Sequence, residues 1–420
     1  MTNREYTSWA IIGSGEGGGR IASQFLTRTN NPGIDDRIVI INTHHADIQQ
    51  TLDRVEERLS INRETVNREH VGYFGSEAGV GNDFFKGEEM VQEDFDEILR
   101  PMNNTLAGAD AFLYTLGLGG GSGNGSVPYI TQQVDEASES KETTDLGGDV
   151  AWMRGLNQIA LAAWPYRDDP IQQHFNAVCG LSRLLMTEDG EPNTDLTILV
   201  SNSHLEERAA SRDGRSDGVL GSGGQLFDRN ERVNTQIIPA VDLLISAGRH
   251  SVNTVDVNDF IRKPQSRGIY HATFGIALEK PIGLDIKRSI EKAAENTYVP
   301  LDLTTCGSAY VVVRCPENRI QNGDVTMASV SKAFNRWKSE NGLRRAVGMP
   351  TLSRKQGNGN TMDVLLLLGG FDLENLLEDS WDLYEDEKEL LGRTDDGRAQ
   401  RKRVETIEQN LEAYIEKLKQ

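Results

Sequence analysis

A chain of 420 residues with a formal net charge of -20 has length for two ordinary hydrophobic cores and is too acidic for a surface that grips nucleic-acid phosphates. No stretch approaches the roughly 20 continuous apolar residues that span a bilayer, and the opening MTNREYTSWAIIGSG leads into a strand rather than a secretion signal. Cys179, Cys306 and Cys315 are scattered without metal spacing, which reads as structural thiols in a reducing cytoplasm. Arginine outnumbers lysine; such acidity fits a high-salt interior, where screening blunts self-repulsion.

In chain order, Trp9–Ile12 reads as a strand, followed by a glycine-rich loop and a helix from about Arg20 to Leu26. The next strand is Arg37–Ile41, then a charged helical stretch. Ala111–Leu116 runs into a second glycine-rich loop and a helix from Val127 to about Glu136; Ile159–Ala163 and Leu196–Val200 are further strands. Nearly all-apolar strands alternating with helices indicate a parallel sheet covered on both faces. Ala137–Asp149 and Ala209–Gln225 read as exposed loops. From Arg229 to Ser246, Val233, Ile237, Val241 and Leu244 keep helical spacing on a helix apolar on more than one side, with Pro239 predicting a kink or a displaced start. The second half offers strands at His271–Leu278, Ala309–Arg314 and Met362–Leu368 and a helix over Asp285–Asn296, the pattern of a smaller α+β domain. Val404, Ile407, Leu411, Tyr414 and Leu418 share one face of a C-terminal helix, which reads as docked, with a partner- or membrane-facing tail as the alternative. The boundaries predicted are 1–226, a central helix 227–250, a second domain 251–372 and a helical tail 373–420.

The stretch Gly119-Gly120-Gly121-Ser122-Gly123-Asn124-Gly125 lies between a strand and a helix. Glycines let backbone N–H groups close on an anion, and the helix N-terminus adds unpaired donors and partial positive charge. Ser122 adds a hydroxyl, so the loop suits a di- or triphosphate. Gly13-Ser14-Gly15-Glu16-Gly17-Gly18-Gly19 has the same placement. Alone, its GxGxxG would suggest a dinucleotide fold, but the second strand leads to Asn42 rather than an acid for the ribose. No GxxxxGK[ST] is present, which excludes a P-loop enzyme.

Two such loops about a hundred residues apart resemble the tubulin/FtsZ superfamily. Its GGGTG signature compares with Gly119–Gly125, GGGSGNG, where Ser122 keeps the hydroxyl and Asn124 replaces one. Asn42-Thr43-His44-His45-Ala46-Asp47 resembles the NTxxAD loop of archaeal CetZ-type proteins, and Ala78-Gly79-Val80-Gly81-Asn82 the loop that senses the γ-phosphate. Ala163–Tyr166, with Pro165, resembles the ribose loop; Asn202 and Asn230 match the guanine-contacting asparagines, whose amides offer both donor and acceptor. The resemblance implies a parallel-sheet GTP-binding domain, a central buried helix and a smaller α+β domain. It implies GTP or GDP at Gly15, Glu16, Gly17, Gly18, Gly19, Arg20, Asn42, Thr43, Ala78, Gly79, Gly81, Gly119, Gly120, Gly121, Ser122, Gly123, Asn124, Pro165, Asn202 and Asn230. Glu16 stands where the family has Gln or Gly; a carboxylate beside phosphates calls for a cation between them, so Glu16 is assigned to Mg²⁺. Arg20 is read equally as a phosphate or ribose contact and as a solvated helix residue.

In this superfamily a loop after the central helix completes the site of the next subunit, making head-to-tail assembly of the chain with itself part of hydrolysis. Asp256 and Asp259 match the DxxD of the FtsZ pattern NxDxxD, with Thr254 at the expected asparagine and Asn253 one residue early. Two carboxylates at that spacing can polarise water and hold a cation, or simply cap a helix. The adjacent His44 and His45 are read as loop residues near phosphate rather than metal ligands. The resulting expectation is a cytoplasmic filament-forming GTPase for cell shape or division, with an adaptor or membrane contact through the tail. The alternatives are a non-hydrolysing scaffold, a plasmid- or phage-DNA-positioning filament, and a dinucleotide oxidoreductase.

Overall fold

The structure, a computed structural model, describes residues 7–26, 33–59, 70–75, 79–139, 151–213, 229–252, 256–283, 285–391, 393 and 395–419. It divides into two compact units: Ser8–Ile198 with Leu377–Gln420, and Met1–Thr7 with Leu199–Leu376.

In the first unit the β-branched runs become strands, as their stiff side chains favour. These are β1 (Trp9–Ser14), β2 (Ile38–Asn42), β3 (Val71–Tyr73), β4 (Ala111–Gly117), β5 (Asn157–Trp164) and the start of β6 (Leu196–Ser201), ordered β3-β2-β1-β4-β5-β6. The pairings among β1 to β5 are all parallel, with Gly13 opposite Ile40 on one side and Thr115 on the other. The residues that follow β1, β2 and β4 therefore leave from one edge. Strand order reverses between β1 and β4, which opens a crevice at that edge.

Helices α1 (Gly15–Leu26), α2 (His45–Leu59), α3 (Phe84–Glu93), α4 (Phe95–Leu106), α5 (Gly121–Glu139) and α6 (Ile171–Leu185) connect the strands. The second unit begins with α7 (Asn202–Asp213), α8 (Arg229–Arg249) and α9 (Val257–Gln265). Then come β7 (His271–Pro281), α10 (Ile286–Ala294), β8 (Ser308–Pro316), α11 (Glu317–Gln321), α12 (Met327–Glu340), β9 (Pro350–Lys355) and β10 (Thr361–Gly369). Its strands run β7-β10-β8-β9, with β10 antiparallel to both neighbours. Pro350 opens the edge strand β9, where a missing N–H is tolerated.

Three local expectations change. Both glycine loops are wound into helix, so α1 starts at Gly15 rather than near Arg20 and α5 at Gly121 rather than Val127. Ala209–Asp213 continues α7 instead of opening a loop; 214–228 lie outside the described residues, as do 140–149 of the other expected loop. α8 runs unbroken across Pro239, so its start is not displaced.

The C-terminal segment, α13 (Glu374–Leu391) and α14 (Asp395–Leu418), packs on the first unit. Val404, Ile407, Leu411 and Tyr414 are buried and Leu418 is half-buried. Ser380 of α13 takes Trp164 Nε1–H at 3.1 Å and meets His174 Nδ1 at 2.8 Å, while Tyr384 stacks on Phe175. The mostly apolar stripe predicted for the last helix is thus filled, in the docked arrangement. Cys179, Cys306 and Cys315 are free and buried, and burial pushes their thiols up, to about 12 for the first two and about 11 for Cys315. Among the described residues no helix is long and apolar enough to cross a membrane.

In the second unit the buried His271 donates Nε2–H to the Phe371 carbonyl at 2.9 Å, edge-on to the Phe371 ring. Burial pulls its pKa from 6.5 to about 4. Between those values the unfolded chain binds a proton that the folded chain refuses, so stability present near neutrality is lost as pH falls through the window. The full loss, reached below pH 4, is about 3 kcal/mol. Urea midpoints between pH 7 and 4.5 should fall more steeply for the native chain than for His271→Gln; parallel slopes would refute this assignment.

Candidate nucleotide-binding site

Four loops of the first unit meet at the edge where β1, β2 and β4 end. The first turns of α1 and α5 are in backbone contact: a Cβ on Gly15 would lie 2.9 Å from Gly123 N, and one on Gly123 would lie 2.7 Å from Ser14 O. Only glycines permit that approach, and Gly15 also needs its φ of 70°. Ser14 Oγ and Ser126 Oγ, 2.7 Å apart, bond beneath the contact. Two helix N-termini thus converge, each with unpaired N–H donors and partial positive charge.

The loop after β2 joins from the side. Asn42, buried, accepts Thr43 N–H at 2.8 Å and holds the turn, and Thr43 Oγ1 sits 2.6 Å from Ser122 Oγ. The Asp47 carboxylate takes Asn42 Nδ2–H at 3.3 Å and faces His44 Nδ1 at 2.8 Å. His45 lies against Tyr73, so the two imidazoles part company as expected for neighbours in a chain. No group of three or more metal-ligating side chains occurs among the described residues.

The loop before α3 closes the fourth side. Gly79, Gly81 and Asn82 all have left-handed backbones, with φ of 77°, 60° and 62°. Asp83 then caps α3 by accepting Phe85 N–H at 3.0 Å and Lys86 N–H at 3.2 Å. A Cβ on Gly121 would strike Val80 Cγ2 at 2.6 Å and Asp83 N at 2.8 Å, so this loop rests directly on the first turn of α5. Ala78 lies outside the described residues.

Several residues take unexpected partners. Glu16 is exposed and forms an ion pair with Arg20 one helical turn on, and Arg20 reaches Gln50 at 3.4 Å. The pairing relieves the repulsion a bare carboxylate would exert on phosphates. Asn124 turns its side chain inward: fully buried, it donates Nδ2–H to Leu118 O at 3.0 Å and to Asn176 O at 2.6 Å. The hydroxyl it replaces in the signature therefore has no counterpart aimed into the crevice. Asn176 in turn donates to Asn82 O at 2.7 Å and Gly119 O at 3.0 Å, clipping two of the loops together. Sequence reading missed Asn176, because α6 went unrecognised; the signal was a polar residue inside the wholly buried run from His174 to Leu185. Gly17 is exposed, while Gly18, Gly19, Gly119 and Pro165 are buried, with Gly120 half-exposed.

Asn202, Asn230, Asp256 and Asp259 belong to the second unit. Asn202 opens α7, and Asn230 lies in the first turn of α8, both half-buried. Asp256 and Asp259 form a reciprocal capping box at α9: Asp256 Oδ1 accepts Asp259 N–H at 3.3 Å, and Asp259 Oδ2 accepts Asp256 N–H at 3.1 Å. Each keeps one carboxylate oxygen outside that box. Asn253 and Thr254 lie outside the described residues.

No protein-family model matches the chain. It is 32% identical over 129 residues to the tubulin-like protein CetZ1 of Haloferax volcanii, a stretch covering 30% of either chain. It is 23% identical over 309 residues to the tubulin-like protein CetZ of Pyrococcus abyssi, 72% of this chain and 70% of that one. Among solved structures, the GTPγS-bound protofilament of CetZ2 from Haloferax volcanii superposes with a TM-score of 0.64 at 20% identity, covering 91% of this chain and 99% of the other. In sequence and in fold the chain is similar to tubulin-like proteins of the tubulin/FtsZ superfamily.

Proposed function

We propose that the chain is a cytoplasmic cytoskeletal GTPase that assembles head to tail with itself and serves cell shape or division. The observation that carries this reading is the closure of four loops on one crevice: α1 and α5 in backbone contact through Gly15 and Gly123, with Thr43 bonded to Ser122 across them. Backbone N–H groups there suit phosphate oxygens. The left-handed loop at Gly79–Asn82 is the natural place for the terminal phosphate, since it abuts Gly121 and has no bulky side chain at Gly79 or Gly81. The relatives are tubulin-like proteins, and the CetZ2 neighbour is a GTPγS-bound protofilament.

The glycine cradle fits a triphosphate, and a hard cation would fit with it. With few protein ligands at hand, Mg²⁺ would be held chiefly by phosphate and water, as is usual for that ion, aided by Ser122, Thr43 or Glu16. It would supply charge neutralisation at the departing phosphate. Asn202 and Asn230 are assigned to the guanine edge, and Pro165 to the ribose. Asp256 and Asp259 of a second copy are assigned to the attacking water, using the carboxylate oxygens that the capping box leaves over.

Phosphate release from GTP should rise more than linearly with protein concentration and vanish in dilute monomer; strict proportionality down to the lowest concentration would exclude a site shared between copies. Asp256→Ala should keep GTP binding and lose turnover by roughly 100-fold or more, as for a lost general base. Gly123→Ala should cost nucleotide affinity at least about tenfold, because its methyl group meets backbone that cannot yield without strain; unchanged affinity would remove the cradle from the site. Glu16→Gln should raise the Mg²⁺ concentration needed for half-maximal hydrolysis, and an unaltered requirement would leave Glu16 only its pairing with Arg20.

A further inference from the structure

Glu88, on α3 five residues beyond its Asp83 cap, is 8% exposed. A buried carboxylate survives only with strong partners, and this one has two guanidinium groups. Arg183 of α6 brings Nη2 to 2.9 Å from Oε2, and Arg403 of α14 brings Nη2 to 2.8 Å from Oε1. Arg183 is itself buried, lies over the Phe84 ring at 5.1 Å and donates Nη1–H to the Asn124 carbonyl at 3.0 Å. Arg403 lies over the Phe85 ring at 5.6 Å and pairs with Glu188 through Nε. One carboxylate therefore ties together the helix that follows the Gly79–Asp83 loop, the helix that opens in the Gly119–Asn124 loop, and a segment 315 residues away in sequence.

The position of Glu88 gives this tie leverage. A Cβ on Gly125 would meet Glu88 N at 2.5 Å and Phe84 O at 2.6 Å, and one on Gly87 would meet Gly121 O at 2.5 Å. α3 and α5 thus touch backbone to backbone at the residue that Arg403 holds. Any rotation of α3 moves Val80–Asp83 against Gly121. The rest of α14 does not need Arg403 to stay in place: Ser182 Oγ–H donates to Ile407 O at 2.5 Å, Asn410 Nδ2–H to Thr187 O at 2.9 Å, and Val404, Ile407, Leu411 and Tyr414 remain buried.

We infer that the Arg403–Glu88–Arg183 cluster makes docking of the C-terminal helix set the loop at Gly79–Asp83, so that docking favours a guanosine triphosphate over a diphosphate. Arg403 is then a positioning residue, and whatever displaces α14 lowers the triphosphate preference of the crevice. The inference rests on the functional reading above.

The test compares the affinities of a fluorescent GTP analogue and its GDP counterpart for native chain, Arg403→Gln and Arg403→Lys, with the folded state checked by circular dichroism. Arg403→Gln should weaken the triphosphate about tenfold, the scale of an ordinary coupling between sites, and leave the diphosphate nearly unchanged; the lysine variant, which keeps the charge, should recover part of the loss. Equal changes for both nucleotides, or no change in a folded variant, would overturn the inference. Should Arg403→Gln fail to fold, coupling is reciprocal, and the native chain supplies the measurement. Amides of α14 should exchange more slowly with GTPγS than with GDP, and identical exchange would overturn the inference. A native chain that binds neither nucleotide would overturn the functional reading as well.

Discussion

Everything in the first unit follows from how closely two helices can begin. A helix N-terminus concentrates positive potential within its first turn, and two of them act on one anion only if nothing but hydrogen occupies the space between. Gly15 and Gly123 meet that condition against each other's loops, Gly18 meets it against the Thr115 carbonyl, and Gly121 meets it against Val80 and Asp83. Thr115 Oγ1–H closes the same seam by donating to Gly18 O at 2.9 Å. The glycines are thus packing residues first. Their permissive backbone matters at Gly15, Gly79 and Gly81, whereas at Gly18, Gly121 and Gly123 the missing side chain decides the geometry.

This explains why the strands were easier to read than the helix starts. Trp9–Ile12, Ala111–Leu116 and Leu196–Val200 announce themselves as apolar runs, and each became a strand within two residues of the expected limits. The starts of α1 and α5 were placed late because glycine disfavours helix interiors by about 1 kcal/mol. Here close packing overrides that preference. β3 and β9 were not anticipated, and both are short or polar edge strands that carry little periodic signal.

The site was legible in its backbone parts and less so in its side chains. Loop order and spacing brought Gly15, Thr43, Gly79, Ser122 and Gly123 to one place. Partners were invisible, since pairing is a fact of three dimensions. Glu16 looked like a bare carboxylate and is neutralised by Arg20. Asn124 looked like a degenerate signature position and is a buried clamp on α6. Asp256 and Asp259 had two readings, and the structure realises the capping one while leaving each an oxygen to spare. The same applies to Glu88, Arg183 and Arg403, whose separation along the chain conceals a single charge cluster built on the buried Glu88 and Arg183 with Arg403 half-exposed.

The three thiols have a practical side. Cys179, Cys306 and Cys315 are buried and hard to ionise, and the thiolate is the form that alkylating reagents attack. Maleimide dyes should therefore pass over the native molecule and react at a cysteine introduced on its outside. Fluorescent labelling needs no cysteine-free background, and uptake of dye by the unaltered chain becomes a direct count of molecules that have opened.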